Sequence, residues 1–149
     1  MGSRTDKVSK QISLCSGVIS PKLMNKKWVL LEHRVSKNNC QGIHFDLLLE
    51  EVGSCRTWRL QRFPTLDGPL VEAIPLPPHK LHWLDREESI VSGGRGWAKR
   101  IEGGFFLGLL PPKDQSKVSI ELVSKTISGV FEIRNNLCGL ISLERFNFI

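Results

Sequence analysis

The stretch IHFDLLLE, residues 43–50, has the alternation of a β-strand that carries different chemistry on its two faces. Under the two-residue period of a strand, the odd-numbered positions from Phe45 to Leu49 share one apolar face that suits a protein core. His44, Asp46 and Leu48 share the opposite face. A histidine and a carboxylate two residues apart can therefore point into the same space, next to a leucine.

Short apolar or alternating segments of this kind recur along the chain from Trp28 onward. Turn signals such as EEVGSC, EGG and RNN separate them, and helical periodicity is weak. The candidate strands are residues 27–35, 43–50, 55–63, 96–102, 104–110, 117–123, 129–134 and 138–146. About eight short strands in succession predict a mainly all-β protein, a small closed or nearly closed antiparallel β-barrel with long loops.

Prolines set residues 62–79 apart from the candidate strands. The segment contains Pro64, Pro69, Pro75, Pro77 and Pro78. Proline fixes φ and lacks a backbone N–H, so it disfavours the interior of a helix. We therefore expect this segment to be an extended loop.

The composition is that of a globular protein, with 149 residues, 40% hydrophobic and 24% charged. This length predicts a single domain over residues 27–149, preceded by a basic, flexible segment at residues 1–26. There is no apolar run long enough to cross a bilayer and no signal-peptide block, which predicts a soluble cytoplasmic protein. The four cysteines are widely spaced without a C-x-x-C pair, which predicts reduced thiols rather than a zinc ribbon or a thioredoxin site.

The net charge of +6 allows attraction to nucleic acid or another polyanion. Much of this charge lies in the basic segment before Trp28. A solvated basic tail on a soluble chain is the alternative interpretation. Charge alone therefore does not identify a partner.

The four histidines, His33, His44, His79 and His82, all lie in the first 82 residues. A hairpin over residues 36–42 would bring His33 alongside His44 and Asp46. Two imidazoles and one carboxylate are a sufficient set for Mn²⁺, Zn²⁺ or Fe²⁺, with open positions for water and substrate. The alternative is that these are polar residues on the solvent face of a sheet, because H-x-D is a common pattern.

Several motifs, in the order in which they occur, resemble the 3′-phosphoesterase domain of bacterial DNA ligase D and its stand-alone relatives. That family has a histidine that closes one strand, then His-Tyr/Phe-Asp-Leu-Arg-Leu-Glu, a short hairpin and a Ser/Thr-Trp pair. Here these motifs read as His33, residues 44–50 and Thr57-Trp58. The family's later His-Pro-Leu-x-Tyr corresponds to HKLHW at residues 79–83, and the similarity spans roughly residues 28–134.

The resemblance implies a small β-barrel with a divalent metal ion, typically manganese and alternatively zinc, in a polar cavity. By position His33, His44 and Asp46 are the metal ligands. His79 is the catalytic histidine near the scissile phosphate, as an acid or as a stabilising cation, since an imidazole can deliver a proton near neutral pH. Members of the family trim 3′ ends of DNA, removing a terminal ribonucleotide and then the 3′-phosphate. His82 falls on a variable position, which predicts a surface histidine.

The sequence departs from the family at two arginines that hold phosphate. Leu48 occupies one of these positions, and the other aligns near Val71. Leucine cannot replace a guanidinium fork, and each charge-assisted phosphate contact contributes about 1.5–3 kcal/mol. Because Leu48 shares the face of the ligands, we expect it to line the cavity wall. The candidates for substrate binding are Arg34, Arg59, Arg62, Trp83 and Arg95.

Three functions are compatible with these features. The first is a metal-dependent 3′-end-processing phosphoesterase, acting on DNA or RNA–DNA ends in repair, with a DNA ligase or an end-joining protein as partner. The second is a catalytically impaired relative that acts as a nucleic-acid-binding β-barrel. The third is an unrelated binding barrel. In each case we expect a monomer with no membrane association.

Overall fold

A computed structural model describes residues 25–39, 41–91, 93–112 and 117–147. These residues form strands β1 (Lys26–Arg34), β2 (His44–Glu50), β3 (Cys55–Leu60), β4 (Val71–His79), β5 (Glu88–Ile90), β6 (Trp97–Leu107), β7 (Lys117–Val123), β8 (Ser128–Arg134) and β9 (Leu137–Ile141). A 3₁₀ turn spans Leu81–Leu84, and a one-turn helix α1 spans Leu143–Phe146. No helix in these residues is long and apolar enough to cross a membrane. The predicted basic segment lies, up to residue 24, outside the described residues.

All nine strands belong to one sheet in the order β1-β2-β3-β4-β9-β8-β7-β6-β5. An additional antiparallel pairing of β1 with β6 joins the sheet into a ring. Strand β5 pairs with the Trp97 end of β6, beyond the short stretch that pairs with β7. The predicted mainly all-β, nearly closed antiparallel barrel is confirmed.

The main core fills the inside of this ring. Its largest fully buried side chains include Trp28, Phe106 and Phe131, and Leu47 and Leu49 from the apolar face of β2 pack with them. Burying such a side chain contributes about 1.5–3 kcal/mol relative to leaving it exposed. The apolar face of residues 43–50 is therefore the inner face of the barrel, and His44 and Asp46 lie on the outer face.

A second, smaller apolar cluster lies on that outer face. It consists of Val29, Leu31, Leu48, Cys55, Leu84 and Ala98. The 3₁₀ turn after β4 places Leu84 over Leu48, whose exposed fraction is 0%. The prediction that Leu48 lines the cavity wall is therefore wrong, because this turn covers one end of the face that carries the ligands.

Strand β4 occupies part of the segment that was predicted to be a loop. It pairs with β3 from Ala73 to His79, whereas its pairing with β9 is confined to Val71 and Glu72. Proline cannot donate to a ladder and is tolerated where a strand edge is unpaired. Pro75, Pro77 and Pro78 all lie beyond the β9 pairing, so the part of β4 that pairs only with β3 accommodates them.

Strand β6 joins two segments that were predicted to be separate strands, because the EGG signal at residues 102–104 lies inside it. A Cβ on Gly104 would lie 1.9 Å from the carbonyl oxygen of Val123. Glycine therefore allows the backbones of β6 and β7 to approach closely at this position rather than ending the strand. At the C-terminus, residues predicted as strand form α1, which the Ser142 side chain caps by accepting a hydrogen bond from the backbone N–H of Arg145.

Candidate metal centre and its cavity

The hairpin between β1 and β2 brings the two strand histidines together. His33 lies directly opposite His44 in the antiparallel register, and the connection is closed by a bridge between Ser36 and Asn39. The distance from His33 Nδ1 to His44 Nε2 is 2.6 Å. The predicted pairing of these two imidazoles is therefore present.

Asp46 completes the group, two residues along β2 from His44. One ligand atom from each of His33, His44 and Asp46 lies within 4.8 Å of the others. Asp46 is only 4% exposed. Its Oδ1 accepts a hydrogen bond of 3.1 Å from Nε of Arg59, directly across from it on β3, and its Oδ2 lies 3.6 Å from Nε2 of His79.

The outer nitrogens of both imidazoles are oriented by backbone groups. His33 Nε2–H donates to the carbonyl oxygen of Arg95 at 2.7 Å. His44 makes a hydrogen bond to the backbone of Gly42. Because a carbonyl only accepts, each outer nitrogen carries the proton, and the inner nitrogens of the neutral rings direct lone pairs at each other. That contact is favourable only with a cation, either a proton or a metal ion, at the inner nitrogens.

Metal coordination would change this contact slightly. Two nitrogens that bind one ion at about 2.0–2.1 Å are separated by about 3.0–3.4 Å. The observed 2.6 Å is a hydrogen-bond distance. The donor set therefore fits a divalent ion after a small separation of the rings, and an outer hydrogen bond to each histidine is a usual feature of metal sites.

The surroundings of His44 and Asp46 favour the protonation states in which these side chains bind a metal ion. Burial and the Arg59 guanidinium lower the pKa of His44 below its usual value, so this imidazole is neutral at pH 7. Burial alone would raise the pKa of Asp46, but His79 and Arg59 outweigh it and hold that pKa below its usual value. A neutral imidazole and an ionised carboxylate are the states that bind metal.

The group opens into a cavity of about 660 Å³ on the outer face of the barrel, which we call the site cavity. Strands β1, β2 and β3 form its floor, and residues 76–91 fold over them as its wall. The charged or ionisable residues that line it are His33, Asp46, Arg59, His79, Lys80, His82, Arg86 and Arg95. Asp46 is the one carboxylate among the described residues of this lining, so the site cavity attracts anions.

The structure brings some of the predicted substrate-binding residues to the site cavity and places others elsewhere. Arg59, Trp83 and Arg95 line it together with His79. The Arg34 guanidinium instead pairs with Glu32 at 2.8 Å and lies over the ring of Trp97, on the opposite face of β1 from His33. Arg62 follows β3 on the exposed surface, outside this lining.

Sequence reasoning missed four polar residues of the site cavity, namely Lys80, His82, Arg86 and Ser89. His82, which was predicted to be a surface histidine, is exposed but lies in the cavity lining. The density of basic residues between positions 79 and 95 was the available signal. It could not be used because nothing in the pattern showed that this segment folds back over β1 and β2.

Comparisons with known proteins support a distant relation to an end-joining protein. No protein-family model matches the chain. Over 118 residues the chain is 31% identical to the multifunctional non-homologous end joining protein LigD of Pseudomonas aeruginosa, a match that covers 74% of this chain. The same match covers 14% of LigD. This similarity supports the resemblance of the motifs to DNA ligase D at the level of the whole protein, and it fits a role related to DNA repair.

Proposed function

We propose that this protein is a metal-dependent phosphoesterase that processes 3′ ends of DNA or RNA–DNA. The observation that carries the proposal is the convergence of His33, His44 and Asp46 within 4.8 Å. His33 and Asp46 of this group line a cavity whose other charged groups are cationic. Such a cavity suits a phosphate ester, whose hydrolysis requires charge neutralisation, an activated water and a protonated leaving group.

His33, His44 and Asp46 would hold a divalent metal ion, for which manganese is the first candidate. When bound there, it would supply positive charge for the phosphate and lower the pKa of a bound water. The backbone contacts to the outer nitrogens of the two histidines keep their inner nitrogens directed at one point. Arg59, by donating to Oδ1 of Asp46 at 3.1 Å, orients the carboxylate on its buried strand.

His79 provides the proton for the leaving group in this proposal. Its Nδ1 lies 3.2 Å from the carbonyl oxygen of Pro77, and its Nε2 lies 3.6 Å from Asp46 Oδ2. Both neighbours are hydrogen-bond acceptors for a ring N–H. An N–H on Nε2, beside the ligand carboxylate, is suitably placed to act as a general acid.

Arg59 takes the place of the missing phosphate-binding arginines. Leu48 and Val71, at the two family positions, are 0% and 2% exposed and belong to apolar clusters. The side chain of Arg59 is 38% exposed and lines the site cavity. Because its Nε contacts Asp46, its Nη groups are the donors that would reach a phosphate beside the metal ion.

A second candidate is a nucleic-acid-binding module without catalysis. The burial of Leu48 and Val71 favours it, because the family's own phosphate contacts are absent from this chain. The basic lining of the site cavity would then bind a phosphate without hydrolysing it. The two candidates differ in turnover, not in binding.

Mn²⁺ should stabilise the wild-type protein and allow it to release phosphate from a 3′-phosphorylated oligonucleotide. At a free Mn²⁺ concentration 100 times Kd, the free energy of unfolding should rise by about 2.7 kcal/mol, measured by thermal unfolding. His44→Ala removes one ligand and should abolish both the stabilisation and the release. Equal Mn²⁺ binding by the wild type and this variant would refute the assigned site, and binding without turnover would favour the second candidate.

Gly96→Ala should weaken Mn²⁺ binding by about 10–100-fold, because the turn that carries the Arg95 carbonyl onto His33 would have to move. Gly96 has a φ of 103°, and a Cβ there would lie 2.1 Å from the carbonyl oxygen of Arg34. Gly94→Ala is the matched control, since Gly94 also has a positive φ, of 68°, but no atom within 4 Å of such a Cβ. The Mn²⁺ affinity of each variant is measured by titration, with electron paramagnetic resonance reporting the free Mn²⁺. An equal loss of affinity in Gly96→Ala and Gly94→Ala would contradict this role for the Arg95 carbonyl.

A further inference from the structure

We propose that the ring of Trp83 is the stacking surface for the terminal nucleobase of the substrate. The proposal rests on the proposed function, because it places the base next to the phosphate site. It adds a second part to that site, which recognises the nucleoside and not only the phosphate.

The exposure of Trp83 distinguishes it from the other three tryptophans. Trp28, Trp58 and Trp97 are 0%, 7% and 7% exposed. Trp83 is half-buried, packs against the outer apolar cluster, and lines the site cavity. One part of its ring is therefore held by packing while another part is accessible to a ligand, which is the arrangement of a stacking surface.

The position of Trp83 along the chain relates the ring to the phosphate site. Trp83 lies in the 3₁₀ turn that begins two residues after His79, and its backbone N–H donates to the carbonyl oxygen of Lys80 at 3.2 Å. The ring and the His79 imidazole thus belong to the same wall of the site cavity. A phosphate near His79 would have its attached nucleoside next to this ring.

The surroundings of the ring match a nucleotide in shape and charge. The His82 ring lies beside Trp83 with a centroid distance of 5.2 Å and an interplanar angle of 39°. Leu76, Pro77 and Val91 contribute apolar surface to the same lining, and Lys80 and Arg86 contribute positive charge. A volume of about 660 Å³ lies within the range of about 300–1,000 Å³ that small-molecule sites occupy.

The test is equilibrium binding of two short ligands that differ only in the base. One is a deoxynucleoside 3′-phosphate, and the other is the abasic sugar 3-phosphate with the same charge. Each ligand has a methylene group in place of the bridging oxygen, so that neither is hydrolysed, and both are titrated against the Mn²⁺-loaded full chain with tryptophan fluorescence and calorimetry as readouts. We expect the nucleotide to bind about 5–150-fold more tightly than the abasic ligand, the range expected for one base–aromatic stack, and to quench the fluorescence.

Trp83→Leu should remove this preference and the quenching while leaving the affinity for the abasic phosphate within about twofold. Trp83→Phe retains an aromatic face and should keep part of the preference. Phe105→Leu is the control, because Phe105 is a 38% exposed aromatic residue outside the site cavity. Equal affinity of the wild type for the two ligands, or equal weakening of both by Trp83→Leu, would overturn the proposal.

These measurements separate the two proposals. Nucleotide preference in the wild type without phosphate release would support the base site and refute hydrolysis. Phosphate release with equal rates on base-bearing and abasic 3′-phosphate ends would support hydrolysis and refute the base site.

Discussion

Leu48→Arg is expected to destabilise the protein by several kcal/mol rather than to restore a phosphate contact. Leu48 is 0% exposed and packs with Val29 and Leu84 in the outer apolar cluster. A charge buried without a partner costs several kcal/mol. A typical domain has a free energy of unfolding of about 5–15 kcal/mol, so the loss would be a large fraction of the total. Urea unfolding monitored by circular dichroism measures it.

Two control variants separate the effect of burying a charge from the effect of replacing Leu48 and from the effect of adding an arginine. Leu48→Met keeps the volume and should cost less than about 1.5 kcal/mol. Val52→Arg introduces the same charge at a position that is 97% exposed, and should change stability by no more than about 0.5 kcal/mol. A stable Leu48→Arg variant with faster 3′-phosphate release would show that this side chain reaches the site cavity.

His79→Ala is expected to lower 3′-phosphate release by about 10²–10⁴-fold, the usual contribution of a general acid or base. The imidazole lies 3.6 Å from Asp46 Oδ2 without belonging to the ligand group. Mn²⁺ affinity should therefore remain close to that of the wild type. Phosphate release under saturating Mn²⁺ and Mn²⁺ binding to the same preparation measure the two effects.

The control for a general defect of the cavity wall is Leu81→Ala. Leu81 lies in the same 3₁₀ turn, is 38% exposed and lies outside the cavity lining. We expect it to leave phosphate release within a few fold of the wild type. Equal losses in the two variants would indicate a displaced wall, and full activity of His79→Ala would exclude a role for this imidazole in the chemistry.

The burial of Leu48 changes the interpretation of the missing arginine. The correspondence of Leu48 to an arginine of the family suggests a site that lacks one positive charge, which Leu48→Arg would restore. In the structure the position has become part of a packed cluster that supports the turn carrying Trp83. The guanidinium next to Asp46 instead comes from Arg59 on the neighbouring strand.

Alternation along the chain was sufficient to predict most of the strands and the pairing of the metal group. In β2 the odd-numbered side chains enter the core, because a two-residue period leaves no other arrangement once one face is apolar. The short connection from β1 to β2 then places His33 beside His44. These are local consequences of strand geometry, so they can be read from neighbouring residues.

The wall of the site cavity depended on long-range contacts that no local pattern encodes. Residues 76–91 have a proline-rich beginning and weak periodicity. Their position depends on the pairing of β4 with β3 and of β5 with β6, and on the packing of Leu84 and Trp83 over the outer face of β1 and β2. That packing decides that Leu48 is buried and that Lys80 and Arg86 face the same cavity as Arg59. The sequence by itself determined most of the strands and the convergence of His33, His44 and Asp46, because both follow from the pleat. Only the tertiary structure decided what surrounds the group, because burial depends on elements distant in the chain.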